Sequence, residues 1–397
     1  MERLLEQSAR LIAGTETNFK RFLFQGIRWN NRLIGIKGAR GTGKTTLVLQ
    51  WIKSQQFNSN EAIYLSLDDL YFTKNTLKET VDAFFKQGGQ VLALDEVHKY
   101  PHWAQEIKNI FDFYPSLKII FTGSSVINIS QHGGDLSRRS LMYDLPGLSY
   151  REFLAMQHIA DLPHIDLETL LLNSNELINS LPNDFRPLQY FNNYLQYGYY
   201  PFGLGDPPSL HQRIQQLVRT IVEVDMSELA DFDIRNAKKM LQLIYIIAQQ
   251  VPFKPNLSAL ALKSGIHRNS LHNYLHFLEK AKIISLLFPS GNSTVQLQKP
   301  EKIYLNNPTL MAALGEEGTN IGNMRETFLF SQLNACYNVR FPKQGDFIVS
   351  DKYCLEVGGR SKGAGQIANV KNAWVVKDEL ELPAGKALPL WLFGLLY

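Results

Sequence analysis

Gly38-Ala39-Arg40-Gly41-Thr42-Gly43-Lys44-Thr45 is the stretch on which the reading of this sequence turns. It satisfies the pattern G-x-x-x-x-G-K-[ST] at every position. Its surroundings agree, because apolar residues 33–36 precede it and a helical pattern over 45–52 follows. Glycines accept backbone conformations that turn successive N–H groups toward one anion. The N-terminus of the following helix adds partial positive charge at the same place. Gly38, Ala39, Arg40, Gly41, Thr42, Gly43, Lys44, Thr45 and Thr46 are therefore the candidate cradle for the phosphates of ATP. Lys44 is placed to reach the β- and γ-phosphates, and Thr45 to offer its hydroxyl to Mg²⁺.

Working outward, residues 32–37, 62–67, 90–94, 118–122 and 141–145 read as short apolar strands separated by helical stretches. A run such as Val91-Leu92-Ala93-Leu94 is apolar on both faces, as in a parallel sheet covered by helices. That run delivers Asp95 and Glu96 to a strand end. Asp95 suits the Mg²⁺ shell, and Glu96 suits the orientation or deprotonation of an attacking water. The next strand runs into Thr122-Gly123-Ser124-Ser125. Thr122 or Ser124 is a candidate sensor of the γ-phosphate, with a strand-end cap as the plainer reading. Arg138 and Arg139 precede the last strand, and Arg139 is preferred as an arginine finger acting on a neighbouring subunit. An internal salt bridge is the competing reading for either.

GARGTGKTT (38–46), LALDEVHKYPHW (92–103), FTGSS (121–125) and LPGLSYREF (145–153) together resemble a family of bacterial and archaeal AAA-superclass P-loop ATPases. FNNYLQYGYYPFGL (191–204) is similar to a glycine-glycine-tyrosine-proline segment of that family, with Tyr199 in place of one glycine. The resemblance spans nearly the whole chain. It implies ATP and Mg²⁺ as cofactors, a homo-oligomer, an association with DNA, and a C-terminal nuclease-like domain of unassigned function.

Net charge is +4 over 397 residues, but it is unevenly placed. Residues 236–302 carry nine Lys or Arg against two acids. Such a basic segment in a near-neutral chain suits a polyanion. Within it, residues 257–263 and 268–280 read as the two helices of a helix-turn-helix, and residues 283–288 and 294–297 as the strands of a wing. Leu271, Tyr274, Leu275 and Leu278 share one face of the second helix. Arg268, Asn269, His272, Asn273 and His276 share the other. With Lys263, the residues Arg268, Asn269 and Asn273 are the candidate DNA contacts, and a scaffolding role is the alternative.

The family resemblance further implies a restriction-endonuclease-like core near the C-terminus. Glu326, Asp346 and Glu356 stand where such a site places its metal-binding carboxylates. Gly358, however, occupies the position of its lysine, and Lys362 is the nearest substitute. A degenerate site without cleavage activity is the expectation.

The two cysteines, Cys336 and Cys354, form neither a disulfide framework nor a metal-ligand spacing. Together with the absence of a signal peptide or an apolar run long enough to span a bilayer, they suggest a cytoplasmic protein without membrane contact. The expected fold class is α/β, a P-loop AAA-type parallel sheet with helices on both faces. A helical region, a winged helix-turn-helix and a nuclease-like α/β domain follow. The expected domains are 1–150, 151–235, 236–308 and 309–397. The expected function is an oligomeric ATP hydrolase, forming ADP and phosphate, that binds DNA. A nucleotide-switched assembly protein and a Mg²⁺-dependent nuclease are the alternatives.

Overall fold

Apolar segments buried on both faces have to be covered on both sides, and the chain lays four of them down with a more exposed fifth strand as one parallel sheet. A computed structural model describes residues 1–124, 136, 138–182, 184–226, 232–291, 299–315 and 320–397. Contacts divide the chain into two compact units, Met1–Gly147 and Leu148–Tyr397.

In the first unit the strands are β1 (Leu33–Gly38), β2 (Ala62–Ser66), β3 (Val91–Asp95), β4 (Lys118–Ser124) and β5 (Leu141–Asp144). Their spatial order is β2-β3-β4-β1-β5, and every pairing is parallel. Alternate side chains serve opposite cores, as the period of two requires. Leu33, Leu92, Leu94 and Ile119 pack with Leu77, Val81 and Phe84 of helix Leu77–Lys86 and with Ile107 and Ile110 of helix Trp103–Phe113. Ile34, Ala93 and Ile120 pack on the other face with Leu47, Val48 and Trp51 of helix Lys44–Gln55. All strand ends that carry polar residues therefore point out of one edge, the C-terminal edge of the sheet. In open α/β sheets this edge is where ligands bind.

The second unit begins with short helices, then runs through helices Pro207–Thr220, Ala237–Ala248, Leu257–Ser264 and Arg268–Lys280. An antiparallel hairpin follows, β6 (Ile284–Leu287) with β7 (Lys302–Leu305). Phe253 adds an antiparallel bridge to Ile303. The expected strand 294–297 lies outside the described residues, and β6 pairs with β7 further along the chain. The burial of Ile303, Tyr304 and Leu305 explains why pairing is made later in the chain.

Helix Ile321–Cys336 then leads into a second sheet of β8 (Val339–Arg340), β9 (Phe347–Val349), β10 (Tyr353–Gly358), β11 (Ala373–Lys377) and β12 (Ala387–Pro389). They stand in the order β12-β11-β10-β9-β8. β8, β9 and β10 pair antiparallel, whereas β10, β11 and β12 pair parallel.

Regions 151–235, 236–308 and 309–397 do not separate as the sequence suggests. One apolar core takes Phe153, Leu154 and Tyr194 from the first, Leu287 and Tyr304 from the second, and Phe328, Trp391 and Phe393 from the third. None of the three could be cut away without exposing the others' buried surface.

Candidate nucleotide site

The loop between β1 and its helix takes the conformation its glycines permit. Gly41 has φ +80° and Gly43 has φ +91°. A Cβ added at Gly38 would stand 2.4 Å from the Leu145 carbonyl oxygen, so the loop and the end of β5 approach too closely for any side chain there. Lys44 is buried, and its Nζ donates to the carbonyls of Gly38 at 3.1 Å and Ala39 at 3.0 Å. The ammonium is thereby held at the mouth of the loop.

Asp95, buried at the end of β3, gathers three hydroxyls. Thr45 Oγ1 donates to Oδ2 at 2.7 Å, Tyr64 Oη donates to the same oxygen at 2.6 Å, and Thr122 Oγ1 donates to Oδ1. Helix start, β2 and β4 are thus tied to one carboxylate. Burial, then the Asp95 charge, pushes the Tyr64 hydroxyl well above its ordinary range, so it stays protonated and donates. Thr45 and Asp95 offer a hydroxyl and a carboxylate oxygen side by side, a donor set that suits Mg²⁺.

Glu96 follows in the left-handed region, φ +50°. A non-glycine residue held there stores strain, a feature that clusters at functional sites. The side chain of His98 is 10% exposed, and its Nε2 lies 3.3 Å from Glu96 Oε2. Burial, helped by Lys99, Lys44 and Arg40, pushes its pKa down to about 3. The imidazole is therefore neutral.

Three residues of this site were not singled out in the sequence, although His98 lies inside the segment 92–103. Arg21 is buried, and its guanidinium donates to the carbonyls of Thr42, Pro146 and Gly147. It braces the phosphate loop against the chain leaving β5. Tyr64 sits on β2 two residues before Ser66, whose register partner is Asp95. His98 follows the acid pair in the turn Val97–Lys99.

The remaining candidates are placed as follows. Ser124 is buried at the end of β4 opposite Gly38, while Thr46 is exposed. Arg139 forks onto Asp112, with Nε and Nη2 each 3.2 Å from a carboxylate oxygen. Arg138 beside it is exposed.

In the second unit, Lys263, Arg268, Asn269, His272, Asn273 and His276 are all exposed, and Leu271, Tyr274, Leu275 and Leu278 are buried. Glu326, Asp346 and Glu356 are held by lysines. Lys302 Nζ stands 2.6 Å from Glu326 and 3.5 Å from Asp346. Lys362 Nζ stands 2.5 Å from Glu356. The stem of Lys362 lies over Gly358, where an added Cβ would meet its Cβ and Cγ at 2.5 Å. Among the described residues, no group of three His, Cys, Asp or Glu side chains is arranged to hold a metal ion. Nor is any described helix long and apolar enough to cross a membrane.

Residues 30–154 match the model of an AAA domain, and residues 188–324 match a domain of unknown function, DUF8612. The uncharacterized protein MJ1637 of Methanocaldococcus jannaschii is 26% identical over 390 residues, covering 88% of this chain and 81% of that protein. Among solved structures, AMPPCP-bound DnaA from Aquifex aeolicus is 14% identical, covering 70% of this chain and 89% of that one, with a TM-score of 0.28. A RuvB mutant from Thermotoga maritima is 13% identical, covering 72% and 89%, also at 0.28. The phosphate loop, the order of the five parallel strands and the match over 30–154 make the first unit a P-loop domain of AAA type.

Proposed function

We propose that the protein is an ATP hydrolase of AAA type that acts on DNA. The observation that carries this reading is Asp95 gathering Thr45, Tyr64 and Thr122 beside the strained Glu96, at the mouth of the loop over which Lys44 is held. Thr45 and Asp95 would hold Mg²⁺, which supplies neutralising charge to the phosphates when bound. Lys44 and the loop N–H groups hold the β- and γ-phosphates, and Glu96 orients the attacking water and takes its proton.

The DNA contact is assigned to helix Arg268–Lys280 of a winged helix-turn-helix, in which Phe253, β6 and β7 form the small sheet. Its exposed polar face supports this reading. Assembly into a homo-oligomer with Arg138 or Arg139 near a neighbour's nucleotide is the matching proposal; Arg139 would have to leave Asp112 to act there. The topology of β8 to β12 supports a nuclease-like descent for the C-terminal sheet. Lys302 between Glu326 and Asp346 supports a site that no longer cleaves.

The test is ATP turnover by purified protein with Mg²⁺, alone and with duplex, single-stranded and branched DNA. Glu96→Gln is expected to bind ATP and hydrolyse it at least about tenfold more slowly. Tight ATP retention without turnover in the wild type would instead favour a nucleotide-switched assembly protein.

A further inference from the structure

The His98 side chain is 10% exposed. It lies in the turn Val97–Lys99 directly after Glu96, and among the described residues neither ring nitrogen has a hydrogen-bond partner. Buried polar groups are almost always paired, so an orphaned one calls for a reason. Its 3.3 Å approach to Glu96 Oε2 has the length of a hydrogen bond but not the angle. A small rotation of either side chain makes the bond. The charged groups that act on the ring are Lys44 and Arg40 of the phosphate loop, Lys99 of its own turn and Asp95 of β3. The imidazole therefore lies within the electrostatic reach of the phosphate loop.

We propose that His98 is a positioning residue for hydrolysis, whose Nε2–H donates to Oε2 of Glu96 and turns the other carboxylate oxygen toward the attacking water. This rests on the hydrolase reading above. In the step it serves, a water O–H bond breaks, the proton passes to Glu96, the water oxygen bonds to the γ-phosphorus, and ADP leaves with the bridging oxygen. A neutral N–H orients the carboxylate without the loss of basicity that a cation in the same place would cause. Burial, helped by the surrounding positive charges, keeps the ring neutral.

The experiment compares His98→Gln, which retains a donor near the Nε2 position, with His98→Phe, which retains the ring shape but no donor. His98→Phe is expected to lower kcat about tenfold with ATP affinity changed by less than about twofold. His98→Gln should recover most of the loss. In the Glu96→Gln background, His98→Phe should add nothing. A second readout needs no turnover: ¹⁵N resonances of the His98 ring in protein loaded with a non-hydrolysable ATP analogue. Protonation on Nε2, with a proton shift that moves in Glu96→Gln, is expected. Full activity in His98→Phe, equal losses in Phe and Gln variants, loss of ATP binding in His98→Phe, or protonation on Nδ1 would each overturn the proposal. Absence of turnover in the wild type would instead defeat the hydrolase reading, and the ring tautomer would still decide the contact with Glu96.

Discussion

Arg21→Met is the substitution that tests how the phosphate loop is held. The change keeps most of the aliphatic stem and removes the guanidinium, which is 5% exposed and donates to Thr42, Pro146 and Gly147. A hydrogen bond to a charged group contributes about 1.5–3 kcal/mol. Three from one guanidinium are not additive, so about 3–5 kcal/mol is expected, the usual cost of removing one member of a buried charged contact. In a unit the size of Met1–Gly147, each kcal/mol lowers Tm by roughly 2–4 °C, so a fall of about 10 °C follows. The effect reaches ligand binding too. The peptide plane that carries the Thr42 carbonyl carries the Gly43 N–H on its opposite edge. Fixing one aims the other, so ATP should bind at least about tenfold more weakly in the variant, a loss of ~1.4 kcal/mol. The assay is calorimetric melting, following the transition that ATP raises, together with titration of nucleotide. A Tm within about 2 °C of wild type and unchanged ATP affinity would refute the bracing role.

Gly38→Ala puts a Cβ 2.4 Å from the Leu145 carbonyl oxygen, and neither β1 nor β5 can move aside, so a loss of about 1–3 kcal/mol in denaturant melts is expected along with weaker ATP binding. Replacing Arg268 and Lys263 by Ala should weaken DNA binding at every sequence and flatten the plot of log affinity against log salt by about two units; an unchanged slope removes both from the interface. For Lys302 the pH dependence has a definite sign. Burial opposes its charge, but Glu326 and then Asp346 outweigh burial and raise its pKa above the ordinary 10.5. Its stabilising contribution is therefore complete below pH 10.5 and is lost as pH rises through the raised value. Lys302→Met should be less stable than wild type by about 1–3 kcal/mol at pH 8, and the gap should narrow in melts above pH 10.5; a gap independent of pH refutes the ion pair.

The phosphate loop and the acid pair were legible because each is contiguous. The glycines, the lysine and the hydroxyl must follow one another, and the carboxylates must end an apolar strand. The five strands were legible for the same reason, to within a residue or two, since burial on both faces leaves an unbroken apolar run in four of them. Arg21 left no trace because it binds main-chain carbonyls, which any sequence would supply. Tyr64 reaches Asp95 only through the lateral register of β2 and β3, which no local pattern encodes. Lys302 was counted as one more charge of a basic region, whereas β7 carries it between Glu326 and Asp346. β7 was not anticipated, because Ile303, Tyr304 and Leu305 form a short apolar run whose role shows only once they are buried in the core. Residues 151–397 were divided where composition changes along the chain, whereas one apolar core draws on all three parts.

That shared core has a consequence for the order of folding. In the second unit the Ser149 hydroxyl donates to the main-chain oxygen of Tyr397, across a sequence separation of 248 residues. Trp391, Phe393 and Tyr397 are wholly buried, the first two in the same cluster as Tyr150. Contacts so distant in sequence form slowly, since loop closure precedes any gain from packing. During synthesis the βα repeats of Met1–Gly147 can close as they emerge. The helices after Leu148 must wait, with apolar faces uncovered, until residues 390–397 have been made. Such a delay exposes the nascent chain to misassociation, and it falls on the second unit alone.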